Sequence, residues 1–140
     1  MEWKDEYSLG IQEIDAQHKK LIDLFSGLES AINKQVKSLV IQFGVINVRN
    51  YADMHFQFEE ALMRLYGYEE YESHKEEHRV LFSKLEELDR NPLGDVQENQ
   101  VIEFLRSWLI DHMLASDRGY VNHILSGPPI VQSKTQVTKE

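Results

Sequence analysis

The fold of this chain is decided by the stretch from Tyr51 to His78, which reads YADMHFQFEEALMRLYGYEEYESHKEEH. The stretch carries two pairs of side chains able to bind a metal, His55 with Glu59 and His74 with His78. Residues four apart lie on one face of a helix, roughly 6 Å apart along its axis. A glycine-containing break separates the two pairs, and a chain that reverses there brings both pairs between two antiparallel helices.

Composition limits the classes of partner. The chain has 140 residues, enough for one domain with a real core. Its net charge is −9, from 24 acidic and 15 basic residues. Nucleic acid and anionic membrane surfaces both attract lysine and arginine, so neither is expected as a partner.

The absence of cysteine limits the chemistry of any metal site. Disulfides, thiolate zinc sites and iron–sulfur clusters are excluded, and a bound metal must take nitrogen and oxygen ligands. The sequence also contains no apolar run typical of a signal peptide or of a membrane span of about 20 residues. We therefore expect a cytoplasmic protein without a membrane partner.

Apolar residues recur at three- and four-residue spacing over four stretches, which predicts helices at about 16–33, 39–66, 70–90 and 97–125. The start of the second, 39–48, is β-branched and taken alone is typical of a strand. It is assigned to helix because the chain offers no partner strand and 49–66 has a clear helical pattern. Short connections then predict an all-α, up-down-up-down four-helix bundle.

The ends of the chain are predicted separately from the bundle. Residues 1–13 are expected to form an N-terminal arm whose aromatic side chains pack on the bundle, with Asp15 as the N-cap of the first helix. The turn before the fourth helix is predicted at 91–95, where asparagine, proline and glycine cluster. The domain is placed at 1–126, and 127–140 is expected to be a polar, mobile tail.

Counting along straight antiparallel helices places several polar side chains at one level. His18 lies 15 residues before residue 33, and His55 lies 16 residues after residue 39. The same count across the other turns brings together seven residues, namely His18, His55, Glu59, His74, His78, His112 and Asp117. A single buried histidine is usually a core residue with a hydrogen bond. Seven such groups without a ligand would cost several kcal/mol, a large part of the 5–15 kcal/mol that stabilises a small domain.

The set therefore predicts a metal site, and its size indicates more than one ion. A zinc site takes about four ligands, whereas two first-row ions bridged by Glu59 and Asp117 would use all seven. Imidazole with carboxylate suits iron or manganese and does not choose between them. Oxygen-activating bundle enzymes typically carry Glu-x-x-His pairs, so the His-x-x-x-Glu and His-x-x-x-His spacings here favour a different class.

Other polar residues near the set are not expected to be metal ligands. His123 is on nearly the same face as His112 but about 16 Å further along the helix, too far to join the site. Glu60, Glu77 and Asp111 point about 100° away from neighbouring ligand positions. They are interpreted as solvated surface, with the alternative that they accept hydrogen bonds from the second N–H of ligand histidines. Asp117 follows His112 by five residues, which predicts a local widening of the helix or a lean of the aspartate side chain.

The sequence resembles the hemerythrins, in their bacterial branch. The matching features are Trp3 with the segment Ile14-Asp15-Ala16-Gln17-His18, the segment His55-Phe56-Gln57-Phe58-Glu59-Glu60 with Met63, His74 with His78, and Trp108-Leu109-Ile110-Asp111-His112 followed by Asp117 and Tyr120. The resemblance covers about residues 3–125 and includes seven ligand positions in order.

The resemblance implies a non-haem di-iron centre with an Fe–O–Fe unit. His74, His78 and His112 would bind one iron, and His18 and His55 would bind the other, which keeps an open position. Glu59 and Asp117 would bridge the two ions. The implied function is reversible O₂ binding for storage, delivery or scavenging, which is not catalysis. The candidates for the wall of the O₂ pocket, by position relative to the ligands, are Leu21, Phe56, Trp108 and Met113.

Three other functions stay open. The same site could report O₂, redox state or NO in a signalling module, in which case an unknown protein partner or the polar tail would carry the output. A di-iron peroxidase or oxidase would need a substrate channel and a proton donor, and the sequence identifies neither. Iron or zinc handling would require a labile metal. Met113 replaces an expected branched aliphatic residue, and its flexible, oxidisable thioether bears on how tightly the pocket closes.

Overall fold

The computed structural model describes residues 1–34, 37–90 and 95–127, and all regular structure within these ranges is helical. A short 3₁₀ turn at Asp5–Tyr7 precedes the bundle. The helices are α1 (Gln12–Asn33), α2 (Ser38–Leu65), α3 (Tyr71–Arg90), α4 (Asp95–Asp111), a π-helical segment (His112–Asp117) and α5 (Arg118–Leu125). Because α4, the π-helical segment and α5 follow one another without a break, they form one long fourth helix. The predicted all-α four-helix bundle is confirmed.

The turn between α2 and α3 has a glycine for a conformational reason. Gly67 has a φ of 63°, a left-handed conformation that side chains disfavour. The backbone N–H of Gly67 donates to Arg64 O at 3.2 Å, and that of Tyr68 donates to Met63 O at 2.9 Å. These two bonds satisfy carbonyls at the end of α2 in the Schellman arrangement. The chain therefore reverses at the break predicted from the sequence.

The β-branched start of α2 is helical, as predicted, and part of its apolar surface is exposed. Leu39 and Phe43 are 76% and 64% exposed, so this apolar face of α2 is uncovered within the described part of the chain. Gly44 lies on the inner side, where an added Cβ would come 3.3 Å from Leu28 Cδ1 on α1. Glycine here allows α1 and α2 to approach each other closely.

The interior divides into two apolar clusters. The larger one takes residues from every helix of the bundle and includes Phe25, Leu85 and Leu105. The smaller one includes Ile14, Met63 and Val121, near the end where α2 turns into α3. Each helix crosses from one cluster to the other, and its residues between them form a layer of buried polar groups.

The N-terminal arm packs on the bundle, but Asp15 does not cap α1 as predicted. The helix begins earlier, at Gln12, with the backbone of Ile11 at the N-cap position. Asp15 lies in the first turn, where its carboxylate accepts hydrogen bonds from Ser8 Oγ at 2.5 Å and from the backbone N–H of Leu9 at 2.8 Å. The prediction was wrong because the aspartate holds the arm rather than the free N–H groups of its own helix.

Two predicted features fall outside the described residues, namely 91–94 of the turn before α4 and 128–140 of the C-terminal tail. Gly127 is the last described residue. Within the described ranges, no helix is long and apolar enough to cross a membrane.

Replacing Asp15 with alanine should loosen the arm. The variant loses two hydrogen bonds to a partly exposed carboxylate, so we expect the free energy of unfolding to fall by about 1 kcal/mol. Urea unfolding followed by circular dichroism measures this. Glu13→Ala is the matched control, because Glu13 is an exposed acid in the same helical turn. Equal losses in the two variants would contradict the anchoring role.

Candidate metal centre

The buried polar layer consists of the seven residues singled out in the sequence. Helix α1 contributes one, α2 and α3 contribute two each, and the fourth helix contributes two. None is more than 4% exposed, although all are ionisable. They are His18, His55, Glu59, His74, His78, His112 and Asp117. Ionisable groups are rarely this buried unless they are paired or bind a metal.

One group in the layer contains three histidines and both carboxylates. His74 Nε2 and His112 Nε2 each lie 2.9 Å from Asp117 Oδ1, and His78 Nε2 lies 3.3 Å from Glu59 Oε1. His78 Nε2 and His112 Nε2 are 2.9 Å apart. One donor atom from each of the five residues lies within 4.8 Å of all the others. The group thus has the size and donor chemistry of a first-row metal site.

The second group contains two histidines and the same two carboxylates. His18 Nε2 lies 3.0 Å from Asp117 Oδ2, and His55 Nε2 lies 3.1 Å from Glu59 Oε1. The four donor atoms of this group also lie within 4.8 Å of one another. Glu59 and Asp117 belong to both groups, so the two clusters form one continuous site.

The polar atoms of the layer are aimed at one another but poorly paired. Among the described residues, seven buried side-chain nitrogen or oxygen atoms have no hydrogen-bond partner. Six of them belong to this layer, both ring nitrogens of His18 and both carboxylate oxygens of Asp117 included. The Nε2 atoms of His18 and His74 lie 3.0 and 2.9 Å from Asp117 oxygens, and a cation held between these nitrogens and the carboxylate oxygens would satisfy them together. The residues present therefore fit a bound metal.

The π-helical segment explains how Asp117 reaches the layer. His112 and Asp117 are five residues apart, which on an ideal α-helix would place them about 140° apart. The segment His112–Asp117 is π-helical, a widened form with i to i+5 hydrogen bonds. The widening turns Asp117 back to the face of His112, and the predicted local widening is confirmed.

Three of the histidines are oriented by a second hydrogen bond. Nδ1 of His55 lies 2.6 Å from Gln17 Oε1, and Nδ1 of His78 lies 2.9 Å from Glu60 Oε2. Donating through Nδ1 leaves the lone pair on Nε2, the nitrogen that faces the layer. Such partners fix the ring orientation and strengthen metal binding in known sites.

Glu77 is the corresponding hydrogen-bond partner of His112. Its Oε1 accepts from His112 Nδ1 at 2.9 Å and from Ser116 Oγ at 2.6 Å. The hydrogen bond from His112 is the main reason that the pKa of Glu77 falls to about 2.

The interpretation of Glu60 and Glu77 as solvated surface was wrong, and the alternative, that they accept hydrogen bonds from histidines of the set, is the one that the structure shows. Glu60 on α2 faces α3, where His78 is its partner. Glu77 on α3 faces the fourth helix, where His112 is its partner. Asp111 is exposed, as predicted. Gln17 was quoted within the segment that resembles the hemerythrins, next to His18, but was assigned no role of its own.

Tyr120 is a further contact that sequence reasoning did not assign a role. Its hydroxyl donates to Glu59 Oε2 at 2.5 Å, and both residues are fully buried. Burial and the adjacent Glu59 charge raise the pKa of Tyr120 far above its usual value, so the phenol stays protonated and can only donate to the carboxylate. The side chain thus fixes one oxygen of a carboxylate shared by both groups.

Charge within the layer favours protonated histidines beside ionised carboxylates. Burial alone lowers the pKa of His18 and His112. The nearby carboxylates outweigh it, Asp117 and Glu59 at His18 and Asp117, Glu77 and Glu59 at His112, and raise the pKa values to about 9 and about 10. Burial alone raises the pKa of Glu59, yet the histidines around it, His55 first, hold it well below its usual range. In the metal-free protein, protons on His18 and His112 therefore supply positive charge that balances the carboxylates.

The four residues suggested as an O₂ pocket do not share one environment. Phe56 stacks on the His78 ring with centroids 3.9 Å apart, and Leu21 lies with Phe56 along an apolar cavity. Trp108 is half-buried and stacks on the His112 ring at 4.3 Å. Met113 is fully buried in the larger apolar cluster. All four are near the layer, and their role in binding O₂ stays a prediction.

His123 stands apart from the layer, as its position along the helix predicted. Its Nε2 lies 2.8 Å from the backbone oxygen of Tyr66, at the end of α2. The contact ties α5 to the turn between α2 and α3. His123 is thus a structural histidine and a natural control for the other five.

The fold and the layer together define a four-helix bundle able to hold metal in its core. A family model described as the hemerythrin HHE cation binding domain matches residues 9–124. The chain therefore belongs to the hemerythrin family.

Similar proteins span most of the chain. A protein named bacteriohemerythrin from Clostridium acetobutylicum is 30% identical over 129 residues, covering 86% of this chain and 98% of its own. A bacteriohemerythrin from Pseudomonas aeruginosa is 29% identical over 123 residues, covering 87% and 80% of the two chains. A hemerythrin-like protein from Naegleria gruberi is 29% identical over 118 residues, covering 84% and 88%. The similarity therefore covers at least 80% of the length of each of these relatives.

Loading the metal-free protein should release protons. A metal binds the lone pair of a neutral imidazole. Because pH 7 lies below the raised pKa values of His18 and His112, both rings are in the doubly protonated, cationic form and must lose a proton to bind. We expect up to one proton from each of these two histidines, and less as the pH rises through 9 to 10. Calorimetric titration with Zn²⁺ in two buffers of different ionisation enthalpy measures the number. Equal heats in both buffers would contradict the assigned protonation.

Replacing Tyr120 with phenylalanine should leave Glu59 Oε2 without its donor. Both groups are buried, so we expect a loss of about 1–3 kcal/mol in the free energy of unfolding of the metal-free protein. Tyr7→Phe is the matched control, because Tyr7 is buried in the other cluster, with its ring against Trp3. If the two variants unfold at the same urea concentration, the Tyr120 hydroxyl has no such role.

Proposed function

We propose that this protein binds O₂ reversibly at a di-iron centre, as a carrier, store or scavenger rather than as an enzyme. The observation that supports this most is the unequal division of one continuous site. Three histidines stand in one group and two in the other, and Glu59 and Asp117 belong to both. Such a division suits two ions that share bridging carboxylates, one of which keeps a position free for a small ligand.

The ligand assignment follows the two groups. His74, His78 and His112 would hold one iron, and His18 and His55 would hold the other. Glu59 and Asp117 would bridge them. Iron so bound supplies the redox chemistry that O₂ binding requires, and nitrogen and oxygen donors are the ligand types that iron takes in such sites.

The protein surroundings favour binding over turnover. The layer lies between two apolar clusters, which restrict access of water and of larger reductants. Phe56 covers the His78 ring on the side of the larger cluster. A buried site that admits only small molecules suits reversible uptake of O₂. The cytoplasm stays the predicted compartment.

The relatives support the same proposal by name. Those from Clostridium acetobutylicum and Pseudomonas aeruginosa are called bacteriohemerythrins, and they match this chain over at least 80% of their own length. We extend the name's implication, oxygen binding by a hemerythrin, to this chain as part of the proposal.

The proposal predicts a reversible colour change. The iron-loaded protein is reduced without oxygen, O₂ is admitted, and the visible spectrum is recorded before and after O₂ is removed. We expect a new absorption band on adding O₂ that disappears when O₂ is withdrawn. Prompt irreversible oxidation of the iron would instead favour sensing or peroxidase chemistry, and a chain that binds no iron would overturn the proposal.

Two histidine variants test the ligand assignment within the same experiment. His74→Ala should bind less iron per chain and lose the band, because one group is left with two histidines. His123→Gln is the matched control, because His123 contacts the Tyr66 backbone and the Tyr68 ring, both outside the layer. It should keep the iron content and the band. Full iron content in His74→Ala would refute the role of His74.

A further inference from the structure

A mostly polar cleft opens at the surface beside the metal layer, between α3 and the fourth helix. It has a volume of about 290 Å³, and Glu70, Ser73, His74, Glu77 and Ser116 are among the residues that line it. Glu70 and Ser73 are exposed to solvent, whereas His74 is only 2% exposed. The cleft therefore leads from the surface to one of the seven residues of the layer.

The side of the cleft at α5 is formed by backbone, because Gly119 has no side chain. A Cβ atom at Gly119 would lie 2.8 Å from the hydroxyl oxygen of Tyr68, too close for ordinary packing. The Tyr68 hydroxyl lies directly against α5 and donates to Glu70 Oε2 at 3.2 Å. Ser116 Oγ likewise donates to Glu77 Oε1 at 2.6 Å. Each carboxylate of the cleft is thus held by a neighbouring hydroxyl.

The two carboxylates give the cleft a negative potential. The pKa of Glu77 falls to about 2, chiefly through its hydrogen bond from His112, so this carboxyl group is ionised at neutral pH. Burial first, then the hydrogen bond to Glu70 and the charges of Glu70 and Glu77, raise the pKa of Tyr68. No lysine or arginine is among the described residues that line the cleft. The opening therefore attracts cations and repels anions.

A metal ion needs such an opening, because the core of the bundle does not admit charge. The layer lies between two apolar clusters, and moving an ion through apolar surroundings is very costly. A divalent ion with six water molecules occupies about 180 Å³, at about 30 Å³ for each water. The cleft is large enough for this hydrated ion, which can approach His74 before it gives up its water.

The donors along the cleft allow the water molecules to be replaced in steps. Carboxylate oxygens, such as those of Glu70 and Glu77, are ligands that divalent ions take readily. His74 is the next donor, and its Nε2 lies 2.9 Å from Asp117 Oδ1 inside the layer. Each protein ligand replaces one water molecule, which returns to solvent. The ion is therefore never bare on its way to the layer.

We propose that this cleft is the entrance through which divalent metal ions reach the layer. Glu70 is the first contact, and His74 is the ligand that takes the ion inward. The entrance rests on the metal-binding part of the proposed function and does not depend on the binding of O₂. Because Glu70 is not one of the seven residues of the layer, it affects the rate of loading and not the final metal content.

The rate at which cobalt enters the metal-free protein tests the role of Glu70. Trp108 stacks on the His112 ring with centroids 4.3 Å apart, so Co²⁺ bound by His112 should quench its fluorescence. We expect the quenching rate, measured in a stopped-flow instrument, to be proportional to the Co²⁺ concentration. Glu70→Gln should slow it severalfold and leave the amount of Co²⁺ bound at equilibrium unchanged, because only a charge at the opening is lost.

Glu72→Gln is the matched control, because it removes the same charge from an exposed residue of α3 that does not line the cleft. It should load nearly as fast as the parent. Equal rates in Glu70→Gln and in this control would overturn the entrance. A loading rate that does not depend on the Co²⁺ concentration would overturn it too, because opening of the whole bundle would then limit loading.

Salt separates electrostatic attraction from a change in structure. The Debye length falls from about 10 Å at 0.1 M salt to about 3 Å at 1 M salt, so the charge of Glu70 acts over a shorter distance. We expect the parent and Glu70→Gln to load at the same rate in 1 M salt. A difference that persists there would mean that the substitution has altered the cleft itself, which would contradict the role of the charge.

Narrowing the cleft should slow loading without any change of charge. Ala115 is exposed and lines the cleft, so Ala115→Leu should load more slowly than the parent. Ala61→Leu, at an exposed alanine of α2, should not. Circular dichroism checks that both variants keep the parent's helix content, and if Ala115→Leu does not fold, the comparison of Glu70→Gln with Glu72→Gln decides. Unchanged loading in a folded Ala115→Leu would refute the cleft as the entrance.

Failure of the entrance and failure of the proposed function give different results. If the parent binds no Co²⁺, the metal centre and the entrance both fail. If every variant binds Co²⁺ at the rate of the parent, only the entrance fails. If loading depends on Glu70 and Ala115 but the iron-loaded protein forms no O₂ adduct, the entrance stands and only the O₂-binding proposal fails.

Discussion

The structure depends on one arrangement, two carboxylates facing five imidazoles inside a bundle of four helices. Glu59 and Asp117 are almost completely buried. Each has a carboxylate oxygen within 4.8 Å of a ring nitrogen of all five histidines. Without compensation such a layer would destabilise the domain by several kcal/mol. Protons supply part of the compensation, as the raised pKa values of His18 and His112 show. A pair of metal ions would supply more, because each ion satisfies several donor atoms at once.

The rest of the fold holds these seven side chains at one level. The Schellman turn at Gly67 sets α3 against α2, and the π-helical segment turns Asp117 toward His112. Glu60, Glu77 and Gln17 fix three imidazole rings from outside the layer. These supports come from neighbouring helices, so the site is preorganised by packing between helices rather than by any single segment.

The two apolar clusters serve the layer in different ways. The smaller one brings Tyr120 to Glu59 and closes the end near the turn between α2 and α3. The larger one provides most of the hydrophobic stabilisation and covers the His78 ring through Phe56.

The sequence by itself determined the helical bundle and the seven residues of the layer. Helical periodicity and spacing are local properties, and counting residues from each turn is enough to align antiparallel helices. The tertiary structure alone decided which side chains support the layer. Glu60 and Glu77 point away from the ligands of their own helices, and only the packing of a neighbouring helix turns them into partners for His78 and His112. Asp15 likewise binds the arm instead of capping α1, because the path of the arm depends on where its aromatic residues pack. The polar cleft beside His74 could not be predicted either, since a cleft is a property of side chains from several helices at once.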